Sequence, residues 1–175
     1  QMLEKDPNNP YAILAKAKIM EIKYTGNVLG SKDSIRKLTA AALAKNPKLA
    51  DAYTINASLD LSDGKYKDAQ AAIGKALEID SEHKEAWYLR GRSFQRSKKF
   101  LEAEHAYLKS LTLYKDDARK SKVYHDLGNT YAEMGPDYLD KAKDAMKSMA
   151  DLDPKSPWAL VNHAIFLNKH AGDYK

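Results

Sequence analysis

Leu43, Leu77 and Leu111 are separated by 34 residues and again by 34, and each follows a small residue in the same register, Ala42, Ala76 or Ser110. Between the second and third of these units the coincidence extends to Tyr53/Trp87, Ala57/Gly91, Tyr66/Phe100, Ala69/Ala103 and Ile73/Tyr107, all at 34. A fixed period of this length constrains a chain more than its composition does. Each unit is one supersecondary element that cannot bury its apolar face alone and must stack on its neighbours.

The residues that recur have physical reasons to do so. Small residues such as Ala57, Gly91 and Gly128 suit places where two helices cross, because a larger side chain would push the axes beyond the usual separation. Aromatics such as Tyr53, Trp87, Phe100 and Tyr107 fill the space between units with large apolar area, and Trp87 and Tyr107 are expected to be substantially buried. Proline stops one helix and opens the next, while Asp63-Gly64 reads as a turn.

The pattern resembles the tetratricopeptide repeat, a unit of helix A, tight turn and helix B. The stretches that carry the resemblance are Ala86-Trp87-Tyr88-Leu89-Arg90-Gly91 through Phe100, Ala103, Tyr107 and Ser110-Leu111, then Leu127-Gly128-Asn129-Thr130-Tyr131. Closing signatures appear at Asp6-Pro7-Asn8-Asn9, Asn46-Pro47 and Asp153-Pro154. It implies an all-α fold, a right-handed superhelix of helix-turn-helix repeats running over essentially the whole chain.

Helices are predicted over Pro10 to Lys23, Ser34 to Lys45, Leu49 to Ser62, Tyr66 to Ile79, Lys84 to Ser97, Phe100 to Tyr114, Arg119 to Met134, Tyr138 to Leu152 and Pro157 to His170. They form a single repeat domain with units at 10–49, 50–83, 84–120 and 121–156. Residues 1–9 read as the tail of a preceding helix B, and 157–175 as the helix A of a truncated unit, so a longer parent protein is expected. Three connections run long: an insertion at Gly26-Asn27-Val28-Leu29-Gly30-Ser31, a shorter one near Asp117 to Lys120, and Gly135-Pro136-Asp137-Tyr138. Surface insertions are tolerated at small entropic cost.

Asn56, Asp60, Arg90 and His163 stand at helix-A positions that are ordinarily apolar. A slight helix rotation would leave the burial to Ile55, Leu59, Leu61 and Leu89, with the polar groups at the margin. Asp60 fits this least well, because a buried carboxylate needs a partner.

Few kinds of chemistry remain open. The absence of cysteine removes disulfides, a thiolate nucleophile and cysteine zinc sites, but it fits cytoplasm and bacterial periplasm alike. The histidines His83, His105, His125, His163 and His170 include no HExxH pair, so no metal is expected. Gly26 to Gly30 lacks the lysine of a phosphate loop, and no Gly-x-Ser-x-Gly occurs. Carboxylates lie among lysines at helical spacing, as solvated and weakly paired faces. No apolar run approaches the roughly 18 to 20 residues of a membrane helix. Neither a cofactor nor catalysis is expected.

The net charge of +5, from 29 basic and 24 acidic residues, supports a mild lean toward acidic partners. The expected role is a protein-protein interaction scaffold that holds a peptide or helix of a partner in a concave groove lined by helix-A faces. An alternative is the regulatory or substrate-recruiting arm of a larger enzyme. RNA binding is a third reading and is not expected, since it needs stacking aromatics interleaved with arginine and only Tyr88, Arg92 and Arg96 cluster that way.

Residues one, five, eight and nine after an anchor (Tyr53, Trp87, Tyr124 or Leu160) point away from helix B at 3.6 residues per turn. That set is Thr54, Ser58, Leu61 and Ser62, then Tyr88, Arg92, Gln95 and Arg96, then His125, Asn129, Ala132 and Glu133, then Val161, Ile165, Asn168 and Lys169. The candidate groove residues are Thr54, Tyr88, Arg92, Arg96, His125, Asn129, Asn162 and Lys169. Tyr88, Arg92 and Arg96 climb one face at i, i+4 and i+8, an arrangement suited to carboxylate or carbonyl groups beside an aromatic contact.

Overall fold

The computed structural model describes residues 6, 8–25 and 31–170. Among them are nine α-helices, one 3-10 turn and no strand: α1 (Pro10–Thr25), α2 (Lys32–Lys45), α3 (Ala50–Ser62), α4 (Tyr66–Ile79), α5 (Lys84–Arg96), α6 (Phe100–Leu113), α7 (Asp117–Met134), the 3-10 turn Pro136–Tyr138, α8 (Leu139–Leu152) and α9 (Pro157–Lys169). The fold is an all-α helical repeat solenoid.

No helix boundary departs from the sequence expectation by more than two residues, and the departures have local causes. Ser31 caps α2 by accepting from Ser34 N at 3.1 Å, which starts that helix before Ser34. Asp116 Oδ1 accepts from Arg119 N at 2.8 Å, so α7 starts at Asp117. Such caps satisfy backbone donors that a first helical turn leaves unpaired. The expected start of α8 at Tyr138 gives way to the 3-10 turn, which closes through Tyr138 N to Gly135 O at 3.1 Å. Of the insertion near Gly26, residues 26–30 lie outside the described residues, as do residues 1–5, 7 and 171–175.

The chain packs as two compact units, Gln1–Leu89 and Arg90–Lys175, with the division inside α5. In the first unit α1 packs on α2, α3 on α4, and α3 also on α1 and α2. Its core joins Ile13, Leu14 and Ala17 of α1, Ile35 and Ala42 of α2, Leu49, and Ala52, Ile55 and Leu59 of α3. Asp60 is a correction to the sequence reading. It is buried, not marginal, and Arg36 of α2 supplies the partner, with Nη2 at 2.8 Å from Asp60 Oδ1 and 3.1 Å from Asp63 Oδ2.

In the second unit α7 packs on α6 and α8, and α9 packs on α8. Tyr107 is fully buried, and its ring fills the space left by Gly91: a Cβ there would lie 2.5 Å from Tyr107 Cδ1. Tyr107 therefore meets its expectation. Trp87 of the first unit does so only in part, being half-buried with Nε1 donating to Ser81 O at 2.8 Å. A tryptophan commonly keeps its polar edge where a carbonyl is within reach.

The α3–α4 and α5–α6 turns repeat one hydrogen-bond pattern 34 residues apart. Gly64 N donates to Leu61 O at 3.2 Å and Lys65 N to Asp60 O at 2.8 Å; Lys98 N donates to Gln95 O at 2.9 Å and Lys99 N to Phe94 O at 2.9 Å. This is the Schellman ending, whose penultimate residue adopts the left-handed conformation and is usually glycine. Gly64 has φ 71, and Lys98 occupies the same position with φ 57.

Candidate functional site

A concavity of about 630 Å³ lies wholly within the second unit, inside the usual volume range of ligand sites. Its walls come from three A helices. The last turns of α5 supply Arg92, Gln95 and Arg96, one face of α7 supplies His125, Asp126, Asn129, Ala132 and Glu133, and α9 supplies Asn162, Ile165, Phe166 and Lys169. Lys98 of the α5–α6 turn, Met146 of α8 and His170 complete the lining. On each helix the contributors recur at three and four residues, the spacing that keeps side chains on one face.

Of the eight candidate groove residues, the structure brings Arg92, Arg96, His125, Asn129, Asn162 and Lys169 around this one concavity. Thr54 and Tyr88 are corrections. They are only 3% and 4% exposed, and Thr54 Oγ1 donates to Asp51 O at 2.9 Å. Angular position on a helix does not settle exposure: Thr54 lies toward the start of α3, a helix that packs against α1 as well as α4. Lys98, Asp126, Met146, Phe166 and His170 line the concavity but are absent from the expected groove set. The 34-residue step from Gly64 to Lys98 is the signal that would have found Lys98.

A hydrogen-bonded network holds the α7 wall. The phenol of Tyr107 donates to Gln95 Oε1 at 2.9 Å, which turns the Gln95 amide so that Nε2 donates to Glu133 Oε1 at 2.9 Å. Burial pushes the Tyr107 hydroxyl well above its ordinary range, so it remains a donor. Asp126 receives two neighbours: Arg92 Nε lies 3.9 Å from Oδ2, and His125 Nδ1 lies 3.1 Å from Oδ1. Asn129 Nδ2 lies 3.2 Å from His125 Nε2 and 3.5 Å from Nδ1, close against the imidazole. The imidazole also meets the Trp158 ring, with centroids 5.0 Å apart.

Both carboxylates of the lining are thus engaged from within, Asp126 by Arg92 and His125 and Glu133 by Gln95. Arg96, Lys98 and Lys169 form no ion pair among the described residues. The lining holds four fixed cations against two carboxylates, so the unit offers a rigid polar wall and a surplus of positive charge. Among the described residues no group of three or more histidine, aspartate or glutamate side chains is placed to hold a metal ion. No described helix is long and apolar enough to cross a membrane.

Residues 84–117 match the tetratricopeptide repeat family model, and this span is α5, its turn and α6, the helix pair whose last A-helix turns open the concavity. Over these residues the chain is similar to the tetratricopeptide repeat. Solved structures of this fold extend the likeness over the chain. PilF of Pseudomonas aeruginosa is 22% identical over 93% of this chain and 71% of its own, with a TM-score of 0.74. A thermophilic tetratricopeptide repeat protein of Thermus thermophilus is 17% identical over 95% and 85%, with a TM-score of 0.75. YrrB, described as a tetratricopeptide repeat protein with an unusual peptide-binding site, is 18% identical over 97% and 82%, with a TM-score of 0.62. At these identities the likeness is one of fold. No curated protein matches the chain by sequence. Helix pairs recur along the chain, and function has to be argued from the side chains on their open faces.

Proposed function

We propose that this chain is a tetratricopeptide-like, non-catalytic protein-interaction module that takes a peptide or helix of a partner protein into the concavity of its second unit. The observation that carries this reading is a concavity that combines a pre-set polar wall on α7, cations on α5, and large apolar side chains exposed on α9. Binding sites of this kind combine apolar contact area with a few polar groups held in place by neighbours. The description of YrrB as a peptide-binding member of the same fold agrees with it. The role is the same for a free-standing scaffold and for the recruiting arm of a larger enzyme. RNA binding is not favoured, because Tyr88, the aromatic it would stack bases upon, is buried.

The test is to select peptides from a random displayed library and compare their affinity for the wild type and for Asn129→Trp, which fills the concavity from its middle. Selected peptides are expected to lose binding to the filled variant while its helical circular dichroism stays unchanged. Equal affinity for both proteins would place the binding surface elsewhere.

A further inference from the structure

The concavity has two kinds of unsatisfied surface, and they adjoin. Arg96, Lys98 and Lys169 carry charge that no carboxylate of the described residues neutralises. Along α9, Trp158, Val161 and Ile165 remain 43%, 54% and 58% exposed. Their spacing of three and four residues sets them on one helical stripe that reaches the cavity lining at Ile165 and ends near Lys169.

Lys98 is the more telling of the cations, because its place in the fold costs stability. It occupies the left-handed position of a turn where the preceding unit has Gly64, with φ 57 against φ 71. A side chain is held there against a steric penalty that glycine avoids. Residues kept in disfavoured backbone conformations concentrate at functional sites, and this one lines the concavity.

Resting on the reading of the concavity as a peptide site, we infer that its ligand is an acidic peptide segment that also carries large apolar side chains. Arg96, Lys98 and Lys169 receive the carboxylates, and the Trp158, Val161 and Ile165 stripe receives the apolar groups. Asp126 and Glu133 are already engaged from within, so the surplus of cations in the lining, four against two carboxylates, disfavours a basic ligand. Charge complementarity of this kind sets partner choice as much as affinity.

The experiment uses three synthetic peptide probes of equal length, alternating leucine with glutamate, with glutamine or with lysine, alongside the displayed library, measured by fluorescence anisotropy at moderate salt. The glutamate probe is expected to bind at least about tenfold more tightly than the glutamine probe, and the lysine probe not at all. The double variant Arg96→Glu/Lys169→Glu changes exposed residues and is expected to reverse the order, preferring lysine over glutamate. That reversal also shows that the variant is folded. Ile165→Ser should weaken the glutamate probe about tenfold, as loss of an apolar anchor does. If glutamate and glutamine probes bind equally, or the charge-reversed variant keeps the wild-type order, the acidic preference is wrong while the peptide site stands. If library peptides that depend on the concavity prove basic or uncharged, the same conclusion follows. If no peptide depends on the concavity, both this inference and the peptide-site reading fall.

Discussion

A Cβ built on Gly91 would lie 2.5 Å from Cδ1 and 2.6 Å from Cε1 of Tyr107, closer than atoms in contact can stand. The ring cannot swing aside freely, because it is fully buried and its hydroxyl is bonded to Gln95. Gly91→Ala is therefore expected to destabilise the protein by about 1 to 3 kcal/mol, the usual cost of overpacking. In the preceding unit the same two positions hold Ala57 and Ile73, both buried, so the pair exchanges volume between units. Tyr107→Ile should thus absorb much of the cost of Gly91→Ala, and urea denaturation of both single variants and the double should show positive coupling. Strict additivity would mean that the two residues do not share one space. A second residue-scale expectation concerns Asp51, whose carboxyl is lowered to about 2 by the hydrogen bond from His83 and by the charge of Lys18. A folded-state value below the unfolded one stabilises the protein above the ordinary carboxylate range and loses that contribution as pH falls. Stability should decline between about pH 4 and pH 2, and Asp51→Asn should flatten part of that decline. Since the Asp51 side chain is 44% exposed, solvent screening keeps the effect small. An unchanged pH profile in the variant would remove Asp51 from the acid response.

The turns that join helix pairs show how sequence position converts into cost and use. Lys98→Gly should raise stability by up to about 1 kcal/mol, since relief of the left-handed penalty outweighs the greater freedom of glycine in the unfolded chain. Gly64→Lys should lower it by a similar amount. The first substitution should also weaken the acidic probe, whereas a turn without a binding role would gain stability at no loss of affinity. Thermal melts and anisotropy titrations on the same samples separate the two outcomes. This element also marks what the sequence discloses and what it does not. The 34-residue period is readable, so the helices fall within two residues of their expected bounds, while the caps at Ser31 and Asp116 start α2 and α7 earlier than the period alone indicates. Helical periodicity likewise names Arg92, Arg96, His125, Asn129 and Lys169 as sharing one side of their helices. It cannot show that Thr54 and Tyr88 are closed over, because burial depends on which neighbour covers a helix end. Lys98 escapes for another reason: angular arithmetic describes helix faces, and this side chain enters from a turn. The Arg36 partner of Asp60 joins residues 24 apart, a contact that exists only once α2 and α3 have packed.

Across the whole molecule, burial is uneven in a way that repeats touching mainly their neighbours would produce. Helix α8 buries Leu139, Ala142, Ala145, Met146, Met149 and Ala150, and α7 buries Ser121, Val123, Leu127, Gly128, Thr130 and Tyr131. Helix α9 buries only Ala159 and Phe166, and it leaves Trp158, Leu160, Val161, Ile165 and Leu167 exposed. Opening a helix costs roughly what its buried contacts contribute, so protection should follow this order. Hydrogen exchange at the amides of α9 is expected to be fastest among the helices of the second unit, while α7 and α8 exchange only with its global unfolding. The same helix carries the apolar stripe of the proposed peptide site, so on that proposal part of the free energy of binding goes into ordering it. A saturating glutamate-leucine probe binds the folded form alone and should slow exchange in α9 by a factor that grows with probe concentration, as linkage requires. Protection of α9 equal to that of α8 without the probe would contradict the burial argument. Slowing confined to α7 would show that the probe binds the polar wall without engaging Trp158, Val161 and Ile165.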